Sequence, residues 1–164
     1  MKYTRVAAAL FLLCTSMVGN AANWEYESTT DQMTSKKSLR ADVRSDNVLK
    51  MGFPYNKGGN RGTLTIRQHP TYGLDVMVSI DHGQMSCHSF SSCSVSVRFD
   101  DDKPVQYSGT EPSDNSSTTI FIKGAGFIAR AKKAKRILVQ FTSYQNGSPV
   151  LEFSTPTALV WPPK

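Results

Sequence analysis

Gly73-Leu74-Asp75-Val76-Met77-Val78-Ser79-Ile80 changes character at every step. Leu74, Val76, Val78 and Ile80 fall on one face and Asp75, Met77 and Ser79 on the other, the period of a strand with one side buried and one side wet. The same rhythm spreads outward along the chain. Val95, Val97 and Phe99 alternate with Ser94, Ser96 and Arg98, and Leu64 and Ile66 with Thr63, Thr65 and Arg67. Ile137, Val139 and Phe141 alternate with Leu138, Gln140 and Thr142. Weaker runs predict strands at 24–29, 118–122, 150–153 and 157–161. Turn signals lie between them at 56–60, Tyr72-Gly73, His82-Gly83 and Asn146-Gly147. The Asn-Gly pair is the sharpest, because it suits the tight turn that joins two antiparallel strands. Many short strands at this spacing predict a mainly β chain, an antiparallel β-sandwich or barrel-like domain.

The chain has 164 residues, 39% of them hydrophobic and 20% charged. It is too apolar for a disordered tail and too polar for a membrane-embedded protein. Residues 1–21 read as a signal peptide: Lys2 and Arg5, a short apolar run over 6–18, then Gly19-Asn20-Ala21 with small residues at the cleavage positions. The run is shorter than the roughly 20 apolar residues of a membrane span. Leu13 before Cys14 does not suit lipidation. The expected mature chain is therefore residues 22–164, a single exported domain in the periplasm or secreted. Its 19 Lys and Arg, less Lys2 and Arg5, leave 17 cations against 13 anions.

Cys87 and Cys93 remain after cleavage, and an even pair in an exported chain reads as a disulfide. Their loop encloses five residues, so the expected stabilisation sits at the low end of about 2–4 kcal/mol, a local staple on a hairpin. His82 and His88 flank Cys87, but oxidised cysteines offer no thiolates to zinc, and no metal site or other cofactor is expected. Gly58-Gly59-Asn60-Arg61-Gly62 lacks the lysine of a phosphate-binding loop. Asp81-His82 beside some serine could imitate a hydrolase, although turn chemistry accounts for Asp81-His82-Gly83 equally well. Asp100-Asp101-Asp102 before Lys103-Pro104 reads as a solvated turn. No catalytic constellation stands out, which argues against an enzyme.

One segment breaks the period of two. Over 126–136, Phe127, Ala131 and Ala134, with Leu138 beyond, form a narrow apolar stripe at helical spacing. Arg130, Lys132, Lys133, Lys135 and Arg136 occupy the rest of the circumference. This predicts one short basic helix laid on the sheet. With Lys123 it carries six cations and no acid. It is either a solvated face or a docking surface for an anionic partner, an envelope or host protein or an anionic surface. Export argues against nucleic acid, as does the lack of aromatics interleaved with these cations for stacking bases.

The order of features extends the reading. Gly73 and Asp75 open a strand ending at Ile80-Asp81, then come Cys87 and Cys93, further strands, a helix-like segment from Phe127 to Ala134, and a last strand pair closing near Trp161. In this order residues 63–161 resemble the bacterial invasion-associated locus B family and similar small phage- or prophage-encoded exported proteins. The resemblance implies a periplasmic or secreted β-sandwich linked to envelope or host interaction, and it carries over no catalytic residue. The expected function is an exported, non-enzymatic binding module. The alternative is a periplasmic inhibitor or an immunity or superinfection-exclusion protein, presenting a loop at 56–62 or 108–117. A hydrolase with an unrecognised site comes after both.

Overall fold

The computed structural model describes residues 23–56, 58–87 and 93–163. Residues 1–21 and His88 therefore lie outside the described residues. Among the described residues, nine strands and one helix follow in chain order: β1 Glu25–Thr30, β2 Lys37–Arg44, β3 Gly62–His69, β4 Gly73–Ile80, β5 Cys93–Phe99, β6 Val105–Thr110, β7 Thr119–Lys123, α1 Phe127–Ala131, β8 Arg136–Gln140 and β9 Val150–Ser154. The chain is mainly β, as its alternation predicts. All nine strands are antiparallel and belong to one sheet, ordered β1-β2-β3-β4-β7-β6-β5-β8-β9.

The alternating residues land where period two puts them. Val78, Val95, Val97, Ile137 and Val139 are fully buried, and join Leu64, Ile66, Ile120, Leu151 and Phe153 in one apolar cluster. The sheet is strongly curled around that cluster. β3 and β9 stand six places apart, which in a flat sheet would separate them by roughly 29 Å. Yet a methyl group placed on Gly62 of β3 would lie 2.7 Å from Cδ2 of Leu151 in β9. The segment after β2 completes the approach. Asp46 N–H donates to the Glu152 carbonyl at 2.7 Å and Ser154 N–H donates to Asp46 Oδ2 at 2.6 Å. Asn47 Nδ2 donates to the Val150 carbonyl at 2.8 Å, while Glu152 N–H donates to Asn47 Oδ1 at 2.9 Å. The outer edge of β9 is thereby supplied with partners, which an edge strand otherwise lacks.

Four expectations change. The run at 157–161 is irregular chain that tucks Leu159 and Trp161 into the core, tied to the start of β1 by Val160 N–H to the Tyr26 hydroxyl at 2.9 Å. β2 and β6 are additional strands. The helix expected over 126–136 is only Phe127–Ala131, with Lys132 as its C-cap. Cys87 and Cys93 lie at disulfide distance, their sulphurs 2.05 Å apart, but they do not staple a hairpin. They close the crossing from β4 to β5, strands that are not neighbours in the sheet. The Asn146-Gly147 turn does join β8 to β9, with Gly147 at φ 67°.

Candidate functional site

The segment between β7 and β8 leaves the sheet and returns to it, carrying every cation singled out in the sequence. Lys123 ends β7. Gly124 follows at φ 152°, and the Tyr107 ring sits where its side chain would be, 2.7 Å from an added Cβ. Gly126 at φ 85° then opens α1. Both positions suit glycine because left-handed backbone strains other residues. Phe127, only 2% exposed, anchors the helix. Its ring meets Phe99 and Tyr107 edge-on, at centroid distances of 5.3 and 5.6 Å. Ala131 and Ala134 are buried beside it, as the apolar stripe predicts, whereas Leu138 belongs to β8 and is only half-buried.

The helix stops early because the sheet competes for its backbone. Asp100 Oδ1 accepts from the N–H groups of both Lys135 and Arg136 at 2.9 Å, and the Lys135 carbonyl accepts from Thr155 N–H at 2.7 Å. These bonds draw the chain straight into β8. Repulsion between cations three and four residues apart also works against a longer helix. The six basic residues therefore do not share one helical face. Arg130 lies on α1, Lys132, Lys133 and Lys135 on the turn after it, Lys123 before it and Arg136 at the head of β8.

Arg136 differs from the rest of the expected binding set. Its guanidinium pairs with Asp101 at 3.6 Å and Glu152 at 3.8 Å, so its charge is answered within the molecule. Asp101 also pairs with Arg98 at 3.3 Å. By contrast, Lys123, Lys132, Lys133 and Lys135 are exposed, with no carboxylate within 4.0 Å among the described residues. Arg130 is exposed too, its guanidinium 6.0 Å from the centre of the Phe99 ring. Burial pushes the Tyr107 hydroxyl pKa up, against the opposing pull of Arg130.

Beside this segment lies a feature that alternation alone did not reveal, a groove of about 550 Å³ between α1, the loop before it, and the paired strands β4 and β7. Leu74, Val76, Ile122, Phe127 and Ile128 give it apolar walls. Leu74 is 51% exposed, so the apolar row of β4 opens to solvent at this end. Two charged residues line it, Asp75 and Lys123. Asp75 accepts from Arg67 Nη2 at 2.6 Å and is matched. Lys123 forms no ion pair among the described residues, and the β4/β7 register sets it on the same sheet face as Asp75. The sequence holds one trace of this groove: Leu74 heads an apolar row right after a turn, where a buried partner is hardest to supply.

The other sequence candidates lie elsewhere. His82 is exposed, and its backbone carbonyl and N–H are both bonded to the buried Asn60 side chain, at 2.7 and 3.2 Å. Asp81 accepts from Arg44 Nη2 at 2.6 Å and from Arg61 N–H at 3.0 Å, a network that ties loops together. Among the described residues no group of three His, Cys, Asp or Glu could hold a metal, and no helix is long and apolar enough to cross a membrane. Comparison with protein-family models, curated proteins and solved structures gives no match for this chain.

Proposed function

We propose that this chain is an exported, non-enzymatic binding module of the bacterial envelope, docking on an anionic surface through the segment between β7 and β8. One observation carries the reading. Lys123, Arg130, Lys132, Lys133 and Lys135 are exposed and without ion pairs among the described residues, while the cation beside them that does meet acids, Arg136, is the first residue of β8. Solvating charges on a folded surface are commonly mixed in sign, whereas a run of one sign creates a field that attracts its opposite. The resemblance to the invasion-associated locus B family agrees with an envelope role.

The test is sedimentation with vesicles of phosphatidylglycerol and, separately, of phosphatidylcholine. Wild type binds the anionic vesicles, and added salt weakens the binding. A Lys132→Gln, Lys133→Gln, Lys135→Gln variant, with Arg136 kept, binds at least about tenfold more weakly, since each cation near such a surface contributes about 1 kcal/mol. Equal binding by the variant at low salt rejects the reading.

A second reading, the inhibitor, is favoured by a different place. Phe53 projects 82% exposed from a turn closed by Tyr55 N–H to the Gly52 carbonyl at 2.9 Å. Gly52 N–H is held by Asn146 Oδ1 at 2.6 Å. A large apolar side chain on an anchored turn is suited to enter a partner's cleft.

A further inference from the structure

We infer that the cleft between the β1/β2 turn and the β3/β4 turn binds a short stretch of neutral glycan, one sugar unit in the cleft and the next against Tyr72. The cleft is separate from the basic segment, and the inference does not depend on the anionic-docking reading. Its volume is about 340 Å³, inside the about 300–1,000 Å³ of small-molecule sites. Three strands bring its residues together. Thr29 of β1 pairs with Ser38 of β2, and the β2/β3 register, continued one step past Leu39 and Gln68, sets Ser38 beside His69. Residues directly opposite on neighbouring strands share a face, so these three form a row across the sheet, and all line the cleft. Asp31, Thr34 and Lys36 from one turn and Pro70 and Thr71 from the other complete it.

The chemistry of the lining selects the occupant. His69 Nδ1 accepts from Thr71 N–H at 3.1 Å, which puts the proton of the neutral imidazole on Nε2 and leaves that nitrogen to donate. The same ring stacks on Tyr72, centroids 4.6 Å apart and planes 26° apart. Tyr72 is thereby held in place while 70% exposed, and a ring already fixed costs little entropy to bind against. The hydroxyls of Ser38 and Thr71 have no partner among the described residues, and each can both donate and accept. Charge is balanced. Asp31 and Lys36 give the cleft one acid and one base, and in the next row of the sheet Arg67 is matched by Asp75 at 2.6 Å and Arg40 by Asp42. A bare anion meets Asp31 there and a bare cation meets Lys36. A sugar ring carries no charge, donates and accepts through its hydroxyls, and has a face of C–H bonds to lay on an aromatic ring.

The probes are chitotetraose, cellotetraose and maltotetraose as neutral glycans, phosphocholine as a zwitterion, and inorganic phosphate as an anion. Amide shifts of the whole mature chain should saturate with at least one of the three glycans and centre on Ser38, His69, Thr71 and Tyr72, a readout that needs no variant. Phosphocholine and phosphate should leave those amides unmoved. Added salt should not change the glycan affinity, because no ion pair forms on binding. Tyr72→Ala should weaken binding about fivefold, the loss of one stacking contact, with the thermal melt unchanged because the ring is exposed. Ser38→Ala should weaken it about threefold, the loss of one hydrogen bond. Lys132→Gln, Lys133→Gln, Lys135→Gln should leave glycan binding intact, so that vesicle docking and the cleft are read separately. Absence of saturable shifts with all three glycans overturns the inference, as does binding indifferent to Tyr72→Ala in a folded variant. So do glycan shifts centred on another surface, glycan binding that falls with salt, or phosphocholine or phosphate moving His69 and Thr71 where the glycans do not.

Discussion

Asp81 joins two other segments at one carboxylate. Its Oδ2 accepts from the Arg44 guanidinium and from the Arg61 backbone N–H, while its own N–H donates to the Arg61 carbonyl at 3.1 Å. Burial raises its pKa, but the bonds from Arg44 and Arg61 outweigh that, and the carboxyl is held below its usual value. A group depressed on folding stabilises the native state above its unfolded pKa of about 3.9, and the benefit fades as pH falls through the lower, folded value. Asp81→Asn should therefore be less stable than wild type near neutral pH, by at most about 1 kcal/mol because the ion pair is partly solvated. The difference should shrink as the pH is taken below about 4. Urea titrations across that range check it, and a gap that widens in acid contradicts it.

Among the elements, α1 depends on one ring. Phe127 is buried and in edge contact with two aromatic neighbours, so Phe127→Ala should lower stability by about 3–5 kcal/mol, measured by denaturant unfolding. A loss below about 1 kcal/mol would mean that the site collapses or that the helix is not needed for the fold. This element also marks how far the sequence could be read. Its apolar stripe was visible in Phe127, Ala131 and Ala134, but its end was not, because the groups that end it come from Asp100 and Thr155, far away in the chain. β6 was hidden for a related reason. Its inward row is Val105, Tyr107 and Gly109, and an added Cβ at Gly109 would lie 2.8 Å from Cγ2 of Ile120. Close packing there demands the one residue that carries no hydrophobic signal. In β2 the inward Leu39, Ala41 and Val43 are diluted by Lys37, Arg40, Asp42 and Arg44. The strong strands needed no such context, since both the alternation and the burial follow from the backbone's period. Of the candidate site, the cations were legible as a run. Their division into free lysines and a paired Arg136, and the groove beside them, required knowledge of which strands become neighbours.

For the whole molecule, curvature decides what is possible. Gly62 is fully buried against Leu151, whose side chain is itself fully buried and has little room to move. Gly62→Ala should press β3 away from β9 and destabilise the fold by about 1–3 kcal/mol, the cost of overpacking a filled core. A thermal melt unchanged from wild type would show that the approach of the two strands is loose. The contacts of Asp46 and Asn47 with β9 also set a timetable. They join residues more than a hundred positions apart in the chain, whereas the β3/β4 and β8/β9 hairpins link neighbours. Closing a long loop costs entropy before any bond compensates, so distant contacts form late in folding. The amides of Glu152 and Ser154 donate to side chains across this junction, and in an antiparallel strand those of the alternate residues Leu151 and Phe153 face the opposite way, toward β8. Hydrogen exchange should therefore alternate along a single strand, quick at Glu152 and Ser154 and slow at Leu151 and Phe153. The junction would open and reseal many times while the rest of the sheet remains intact.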